Sequence, residues 1–286
     1  MPPEKNIPYF WPPQSFHMQY VLITGVSSGI GHALAVYLLE RGFYVFGSVR
    51  RAADAQELED HFGSHFKALI FDVREESAIA EAAAEVERIL DGQPLTALVN
   101  NAGIAVNGPL QHLPIEEVRE QLEVNVLGAL RVIQAFLPLL GARQPVPDQP
   151  GRIINISSVS GAFTNPFLAP YAASKHALES LTDGLRRELL PYGIDVISVQ
   201  PGPIQTPIWK KSLDNFRYWE GTIYEPILRG GRKSLESTIS KALPPERVAR
   251  LLHRIITHRR PKTRYRITPT PLMVWIHRYL PTRWVD

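Results

Sequence analysis

The 286-residue chain contains no cysteine. Disulfide bonds, zinc sites with cysteine ligands and catalysis by a thiol are therefore excluded, and the composition fits a reducing compartment. The chain also lacks an apolar run of the ~18 residues that a membrane-spanning helix requires. Its first residues carry several prolines without an apolar stretch, so we expect no secretory signal there. We therefore predict a cytoplasmic protein without a membrane span, and no motif indicates a metal site.

What the chain does contain is the composition of a globular protein, with 44% hydrophobic and 21% charged residues. The length suits one large α/β domain, which we place at residues 18–286. Residues 1–17, rich in proline and aromatic residues, are predicted to be an irregular arm. Prolines and clustered aromatic residues also interrupt the pattern at residues 203–246, which we interpret as an insertion into the domain.

The formal net charge of +3 hides a basic segment near the end of the chain. Residues 229–266 contain twelve lysines and arginines against two glutamates, so this segment carries +10 and the remainder −7. Such a segment can attract an anionic membrane, a nucleic acid or an acidic ligand. A solvated helix face followed by a loop explains the same charges and is the interpretation that we prefer. We expect no nucleic-acid partner, and peripheral membrane contact remains an alternative.

A glycine-rich turn follows the first predicted strand, residues 20–24, and leads into an amphipathic helix predicted at residues 33–41. The turn contains Gly25, Ser27, Ser28, Gly29 and Gly31. Glycines let the backbone approach a ligand, and a helix N-terminus offers free N–H groups to an anion. Serine hydroxyls add further donors. Strand, turn and helix together therefore predict a phosphate-binding site, although a turn of this kind also occurs without a nucleotide.

The second predicted strand, residues 42–49, ends at a pair of arginines, Arg50 and Arg51. In NAD-binding domains with this pattern, an acidic residue about 20 positions after the glycines bonds the adenosine ribose. No acid appears here before Asp54, whereas an arginine fork matches a 2′-phosphate. The sequence therefore favours NADP(H) over NAD(H). The alternative is that both arginines only cover the surface at the end of the strand.

Strands and helices continue to alternate along the rest of the chain. Short apolar strands separated by amphipathic helices predict a doubly wound parallel sheet of the α/β class. Further strands are predicted at residues 68–73, 95–100, 152–158, 194–199 and 264–268, and helices at residues 77–90, 116–140, 172–190 and 246–258.

Tyr171 and Lys175 stand four residues apart on a predicted helix, so their side chains project from the same face. A free tyrosine has a pKa of about 10, and a neighbouring ammonium group favours the phenolate and lowers that pKa. Proton transfer is most effective when the pKa lies near the working pH. The pair is therefore a candidate acid–base group, although an ordinary half-buried helix face would show the same spacing.

Taken together, the motifs resemble those of the short-chain dehydrogenase/reductase family. In chain order they are Thr24-Gly25-x-x-x-Gly29-x-Gly31, Asn100-Asn101-Ala102-Gly103, Asn125, Ser158, Tyr171-x-x-x-Lys175, and Pro201-Gly202 with Thr206. The resemblance covers residues 20–206 and implies a Rossmann sheet of about seven strands in the order 3-2-1-4-5-6-7. It also implies an oxidoreductase that transfers a hydride between a nicotinamide cofactor and a carbonyl or alcohol.

The resemblance assigns roles to four residues. Tyr171 would be the general acid in carbonyl reduction or the base in alcohol oxidation, and Lys175 would bind the nicotinamide ribose and lower the tyrosine pKa. Ser158 would bond the substrate oxygen, and Asn125 would hold a water that connects Lys175 to solvent. With the two arginines, the expected cofactor-binding residues are Gly25, Ser27, Ser28, Gly29, Ile30, Gly31, Arg50, Arg51, Asp72, Val73, Asn101, Ala102, Gly103, Tyr171, Lys175, Pro201, Gly202, Ile204 and Thr206.

The end of the chain points to a substrate class. The run Arg260-Pro-Lys-Thr-Arg-Tyr-Arg266, followed by Leu280-Pro281, is loosely similar to retinol- and hydroxysteroid-type dehydrogenases. That similarity implies a hydrophobic carbonyl or secondary alcohol of steroid, retinoid or acyl type. The aromatic residues at 209–224 agree, because an apolar lid would exclude water.

Family resemblance also implies a homodimer or homotetramer formed through helices 116–140 and 171–190. Two other functions are kept open. One is a non-catalytic NADP(H)-binding regulatory protein, and the other is a 3-oxoacyl reductase of the same family.

Overall fold

The computed structural model describes residues 18–209, 218–227, 237–272, 276 and 282–285. The predicted arm at residues 1–17 lies outside this part of the chain, and so does much of the predicted insertion at 203–246, whose limits stay a prediction. None of the helices within the described ranges combines the length and the apolar character that a membrane crossing requires.

A seven-stranded parallel sheet forms the centre of the fold, in the order β3-β2-β1-β4-β5-β6-β7. Its strands are β1 Tyr20–Ile23, β2 Tyr44–Val49, β3 Phe66–Ile70, β4 Ala97–Asn100, β5 Arg152–Ile156, β6 Asp195–Pro201 and β7 Arg264–Ile267. β1 lies between β2 and β4, with Val21 in register with Val45 on one side and Ala97 on the other. The α/β class and the strand order are confirmed.

Helices cover both faces of this sheet. They are α1 Gly29–Leu39, α2 Ala52–Phe62, α3 Glu76–Leu90, α4 Ile115–Leu122, α5 Ala129–Phe136, α6 Ala169–Glu188, α7 Pro245–Thr257 and a short α8 Thr282–Val285. Successive strand residues point to opposite faces. Val21 and Ile23 thus join an apolar layer with α1, α2 and α7, while Leu22 joins a layer with α3 and α5. Burial on both faces explains why the central strand β1 is continuously apolar.

The prediction of a single long helix at residues 116–140 is wrong. The structure has α4, then a π-helical turn over Glu123–Gly128, then α5. Two contacts accompany the turn: Asn125 bonds the backbone of Ile104, and Gly128 packs so closely on Val73 that a Cβ would lie 2.6 Å from Val73 Cγ2. Such turns are rare and frequent at functional sites. The π-helical turn depends on tertiary contacts, and the 3.6-residue periodicity of the sequence therefore did not predict it.

Strand ends also differ from the predicted limits. β3 ends at Ile70, so Asp72 and Val73 lie in the loop that follows it. β5 ends at Ile156, which leaves Ser158 as the N-cap of a short 3₁₀ turn. These shifts place the polar residues in loops at the carboxyl ends of the strands, where a ligand can reach them. Helix α2 was not predicted at all.

Candidate active site

A cavity of about 740 Å³ lies against the loops that follow the carboxyl ends of the strands. The loops after β1 and β4 meet there, at the position where open α/β sheets bind ligands. Most of the predicted site residues line it: Gly25, Ser27, Ser28, Gly29, Ile30, Arg50, Asp72, Val73, Asn101, Ala102, Gly103, Ser158, Tyr171, Lys175, Pro201, Gly202, Ile204 and Thr206. Gly31, Arg51 and Asn125 lie outside its wall.

The glycine-rich turn shapes one part of the cavity. Gly29 has a φ of +63°, a left-handed conformation that favours glycine, and an added Cβ would lie 3.0 Å from Thr206 Cγ2. Ser28 is the N-cap of α1, yet its hydroxyl makes no capping hydrogen bond. The first-turn N–H groups of α1 and the hydroxyls of Ser27 and Ser28 are thus available at the cavity wall, which fits a phosphate group.

Asn101 holds this turn in place. Its side-chain amide donates to the backbone oxygens of Thr24 and Gly25, at 2.9 and 3.0 Å. Thr24 Oγ1 accepts from the backbone N–H groups of Asn101 and Ala102, each at 2.9 Å. Gly31 contributes through its small size, because a Cβ there would overlap the Gly25 oxygen and lie 2.6 Å from Asn101 Nδ2. Gly31 therefore supports the turn by close packing and does not reach the cavity.

The structure separates the two arginines that follow β2. Arg50 is exposed and lines the cavity. Arg51 instead donates to both carboxylate oxygens of Asp54, at 2.5 and 2.9 Å, at the start of α2. Of the pair, Arg50 is the one placed to meet a phosphate group in the cavity.

Arg74 is a further cation at this part of the wall. Its Nε and Nη2 donate to the two carboxylate oxygens of Asp72, at 2.9 and 2.8 Å. This hydrogen bonding lowers the pKa of Asp72, so the carboxylate stays ionised. The sequence analysis noted Asp72 but missed Arg74; an acid and an arginine two residues apart after a strand were the available signal.

Ser158, Tyr171 and Lys175 come together elsewhere along the cavity. The Ser158 and Tyr171 side chains are hydrogen-bonded, and Lys175 Nζ lies 5.8 Å from the centre of the Tyr171 ring. Lys175 Nζ also donates to the carbonyl oxygen of Ile156 at 2.8 Å. Ser158 Oγ accepts from the Ser160 N–H at 3.0 Å, so it caps its turn as well as meeting the tyrosine. The predicted grouping of these side chains is thus present.

Burial dominates the protonation of both groups on α6. It raises the pKa of Tyr171, and the hydrogen bond with Ser158 opposes that rise. It lowers the pKa of Lys175 to about 8, against the smaller opposing effect of the Glu179 charge. The prediction that the Tyr171 pKa is lowered is therefore not met in this structure. The ammonium group lies beside the ring, but desolvation has the larger effect.

Asn125 lies behind the cavity wall and is almost completely buried. Its Oδ1 accepts from the Ile104 N–H at 2.9 Å, and its Nδ2 donates to the Ile104 oxygen and to Ser174 Oγ, at 3.0 and 3.1 Å. Both amide hydrogens and one lone pair of the side chain are therefore used. The side chain fixes the loop after Gly103 to α6, and a role in a water relay stays a prediction.

Aromatic side chains form much of the remaining wall. The cavity is lined by Phe163, Phe167, Trp209 and Trp219. The Phe167 ring centre lies 4.3 Å from that of Trp219 and 5.5 Å from that of Tyr224. The two tryptophans belong to the aromatic lid predicted at 209–224. The two phenylalanines precede α6, and the sequence analysis missed them because no motif includes them.

Phe167 adopts a left-handed backbone conformation, with a φ of +65°. For a bulky residue this conformation costs about 1–3 kcal/mol and is found at ligand sites. The Phe167 carbonyl oxygen accepts from the Gly108 N–H at 2.8 Å, which fastens the loop before α6 to the loop after β4. Contacts with Trp219 and Tyr224 set the direction of the ring.

The glycine-rich turn, the parallel sheet and the Ser158–Tyr171–Lys175 cluster are those of a dinucleotide-binding oxidoreductase of the Rossmann type. The sequence profile described as short chain dehydrogenase matches residues 19–216. The chain therefore belongs to the short-chain dehydrogenase/reductase family, whose members act on CH–OH groups and the corresponding carbonyls.

Relatives of known sequence and structure agree with this membership. An NADPH-dependent 3-dehydrocapnine reductase of Ornithobacterium rhinotracheale is 42% identical over 270 residues, covering 94% of this chain and 95% of the relative. Human retinol dehydrogenase 5 is 31% identical over 283 residues, covering 93% and 86%. The crystal structure of a short-chain dehydrogenase from Streptomyces avermitilis has a TM-score of 0.72 at 28% identity, with 88% of each chain covered.

Proposed function

We propose that the protein is an NADP(H)-dependent oxidoreductase that transfers a hydride between nicotinamide and a hydrophobic carbonyl or secondary alcohol of steroid, retinoid or acyl type. The observation that carries this proposal is the composition of the cavity. A phosphate-binding turn and Arg50 line it together with Tyr171, Ser158 and four large aromatic side chains. Such a cavity can take a dinucleotide and an apolar substrate side by side.

Two observations support NADP(H) over NAD(H). Arg50 reaches the cavity where the adenosine ribose is expected, and its guanidinium matches a 2′-phosphate. The 3-dehydrocapnine reductase that is 42% identical is named as NADPH-dependent. The turn at Gly25–Gly31 would hold the pyrophosphate, Asp72 and Val73 the adenine, and Pro201–Thr206 the nicotinamide amide. When bound, the cofactor supplies or accepts the hydride.

The proton chemistry falls to Tyr171. In the reductive direction its hydroxyl donates a proton to the substrate oxygen, while the Ser158 hydroxyl bonds the same oxygen. Burial raises the pKa of Tyr171, so the phenol stays protonated near neutral pH, which suits donation. Lys175 binds the ribose hydroxyls beside the nicotinamide. We include the Asn125 water relay in this proposal, although the Asn125 side chain is mainly engaged with Ile104.

The aromatic wall supports an apolar substrate. Trp219 is 4% exposed and packs against Phe167, so a flat hydrophobic face borders the cavity. Tyr218 fastens this segment to α4, because its hydroxyl donates to Glu117 Oε1 at 2.6 Å. A steroid, retinoid or acyl chain would cover the apolar side chains that line the cavity, whereas a small polar substrate would leave much of the cavity to water.

The basic segment at 229–266 does not help this proposal. Arg152, the first residue of β5, donates to the oxygens of Ile255 and His258, at 2.6 and 2.9 Å. The cation-rich turn at 258–263 therefore lies at the amino edge of the sheet, whereas the cavity lies at the carboxyl edge. If that turn contacted a membrane, the cavity would lie on the side of the protein away from the lipid. Peripheral membrane attachment and a cytoplasmic location remain predictions.

A homodimer or homotetramer belongs to the same proposal. Leu122 of α4 and Leu127 of the π-helical turn expose 37% and 44% of their surface, in the region that family resemblance assigns to a subunit interface. Sedimentation of the purified protein would test it. A monomer at all accessible concentrations would contradict this part of the proposal.

The test of the function is a kinetic comparison of NADPH with NADH across steroid, retinoid, acyl-thioester and small-ketone substrates. We expect turnover with NADPH and the highest kcat/KM for a hydrophobic ketone. A clear preference for acyl thioesters would select the 3-oxoacyl reductase alternative. NADPH binding without turnover on any substrate would select the non-catalytic regulator, and a preference for NADH would contradict the role of Arg50.

A further inference from the structure

A stripe of four functional side chains runs along α6. Tyr171, Lys175, Glu179 and Asp183 follow one another at four-residue intervals, so each lies about one turn from the next. Glu179 is 7% exposed and stands directly behind Lys175, on the side away from Tyr171. No family motif named above includes Glu179, and the reaction outlined above leaves it without a role.

The Glu179 carboxylate is fully engaged. Ser198 Oγ of β6 donates to Oε1 at 2.5 Å, and Arg264 Nε of β7 donates to Oε2 at 2.8 Å. The same guanidinium donates through Nη2 to Asp183 at 3.1 Å. A buried carboxylate needs hydrogen-bond partners, and a cation and a hydroxyl supply them here. Glu179 is therefore an acidic side chain held in one position inside the protein, one helical turn from Lys175.

Lys175 has few other groups around it that can stabilise its charge. Its Nζ donates to the Ile156 oxygen at the end of β5, and the Tyr171 ring lies on its other side. From the π-helical turn, Asn125 bonds the Ile104 backbone and Ser174, the residue before Lys175. The other charged groups nearby are Arg264, Asp183 and Arg186. They pair with Glu179 or with one another, on the side of Glu179 away from Lys175. The Glu179 charge opposes the effect of burial on the Lys175 pKa.

We propose that Glu179, held by Arg264 and Ser198, is a positioning residue that keeps Lys175 protonated at the pH where Lys175 binds the cofactor. This inference rests on the proposed function, in which Lys175 binds the nicotinamide ribose. Strand β7 would then have two roles. It carries Arg264, which holds Glu179, and it leads directly into Thr268 and Thr270 of the cavity wall. A purely structural ion pair between α6 and β7 would stabilise the fold without affecting how Lys175 titrates.

The two roles are separated by the variant Glu179→Gln, which keeps the shape of the side chain and removes its charge. NADPH affinity is measured by fluorescence from pH 6 to pH 9.5, without any substrate. Wild-type Lys175, with a pKa of about 8, loses its proton over the upper half of this range. Without the Glu179 charge the proton is lost at lower pH. We expect affinity equal to wild type at pH 6 and about threefold or more weaker at pH 8.

Asp183→Asn is the matched control. It also removes a carboxylate partner of Arg264, but from a position one turn further from Lys175. We expect its pH curve to coincide with that of the wild type. The conservative variant Glu179→Asp keeps the charge and should restore much of the wild-type curve.

Superimposable curves for Glu179→Gln and wild type, with only a lower melting temperature, would overturn the proposal. If Glu179→Gln does not fold, the double variant E179Q/R264M removes the whole buried pair, a change that proteins often tolerate. Its curve must also move to lower pH, because of the two charges removed the negative one lies nearer to Lys175; an unmoved curve overturns the proposal. Because the readout is binding, it stays informative even if no carbonyl is ever reduced, an outcome that would contradict the proposed function alone.

Discussion

The cavity has a half that we propose binds the cofactor and a half that we propose binds the substrate, here called the cofactor half and the substrate half, and the two are built in different ways. The cofactor half is made mostly of backbone: the turn at Gly25–Gly31, locked by hydrogen bonds between Asn101, Thr24 and Gly25. The substrate half is made of side chains, with Phe167 and Trp219 brought together from separate segments. Backbone geometry allows few residue types at each position, whereas an aromatic wall tolerates many. The residues of the cofactor half can therefore be predicted from sequence motifs, whereas those of the substrate half cannot.

The variant Tyr171→Phe gives the clearest test of the catalytic role proposed for Tyr171, which lies where the cofactor half and the substrate half meet. This variant keeps the ring and removes the proton donor, so kcat/KM for carbonyl reduction should fall by about a thousandfold. The Kd for NADPH should remain within about twofold of wild type, because one neutral hydroxyl contributes little to a large cofactor interface. Stopped-flow or steady-state assays together with fluorescence titration measure both quantities.

Tyr192→Phe is the control for this prediction, since Tyr192 is partly buried against the core in the turn after α6 and is not among the residues that line the cavity. It should keep wild-type kcat/KM. Substantial turnover by Tyr171→Phe would show that another group supplies the proton. Tyr171 would then not be the residue at which the cofactor half and the substrate half meet.

Arg50→Ala tests the cofactor half by itself. Loss of a charge-assisted contact with a 2′-phosphate should weaken NADPH binding by about 10–100-fold. NADH, which lacks that phosphate, should bind as before. Arg51→Ala is the matched variant, because Arg51 is paired with Asp54 outside the cavity and its loss should change neither affinity. Equal effects of the two variants would contradict the separate placement of the arginines.

Trp219→Leu tests the substrate half. Removing an aromatic face from the wall should raise KM for a bulky apolar substrate by about tenfold and leave the NADPH Kd unchanged. Trp284→Leu is the control, since Trp284 is 77% exposed on α8. A loss of NADPH affinity in Trp219→Leu would mean that the two halves are not energetically separate.

The smallest effect is expected from a pair of glycines. Gly184 lies near the C-terminal end of α6, and a Cβ added there would lie 3.8 Å from Glu188 Oε1, an ordinary contact. Gly184→Ala should therefore raise the free energy of unfolding by about 0.5–1 kcal/mol. Gly29→Ala should lower it by about 1 kcal/mol or more, because its φ is +63°. Urea unfolding of both variants measures the difference. A stabilised Gly29→Ala protein would show that the turn does not depend on this conformation.

The protonation of Tyr171 shows how sequence and structure answer different questions. Helical spacing correctly placed Lys175 beside Tyr171, and the structure puts its Nζ 5.8 Å from the ring centre. The sign of the pKa shift was predicted wrongly, because it depends on how much water the surrounding protein excludes. Proximity on one helix follows from periodicity, but desolvation is a property of everything packed around that helix.

A similar limit applies to Asn125 and Arg51. Asn125 was identified, but the π-helical turn around it was not, since that turn depends on contacts with Ile104 and Val73 from other segments. Arg51 shares its residue type and its strand end with Arg50. Only the start of α2, a helix that was not predicted, turns Arg51 towards Asp54.

The sequence by itself determined the parallel sheet, the glycine-rich turn and the position of Tyr171 and Lys175 on one face of a helix. These features follow from local rules: glycine where the backbone demands it, apolar runs where strands are buried on both faces, and i, i+4 spacing on one helix. The strand order and the place of Ser158 near Tyr171 were implied by the family resemblance, and the structure agrees with both. Only the tertiary structure decided the strained position of Phe167, the aromatic wall and the buried Glu179–Arg264 pair. Each of these depends on residues distant in the chain, whose contacts and desolvation no local pattern records.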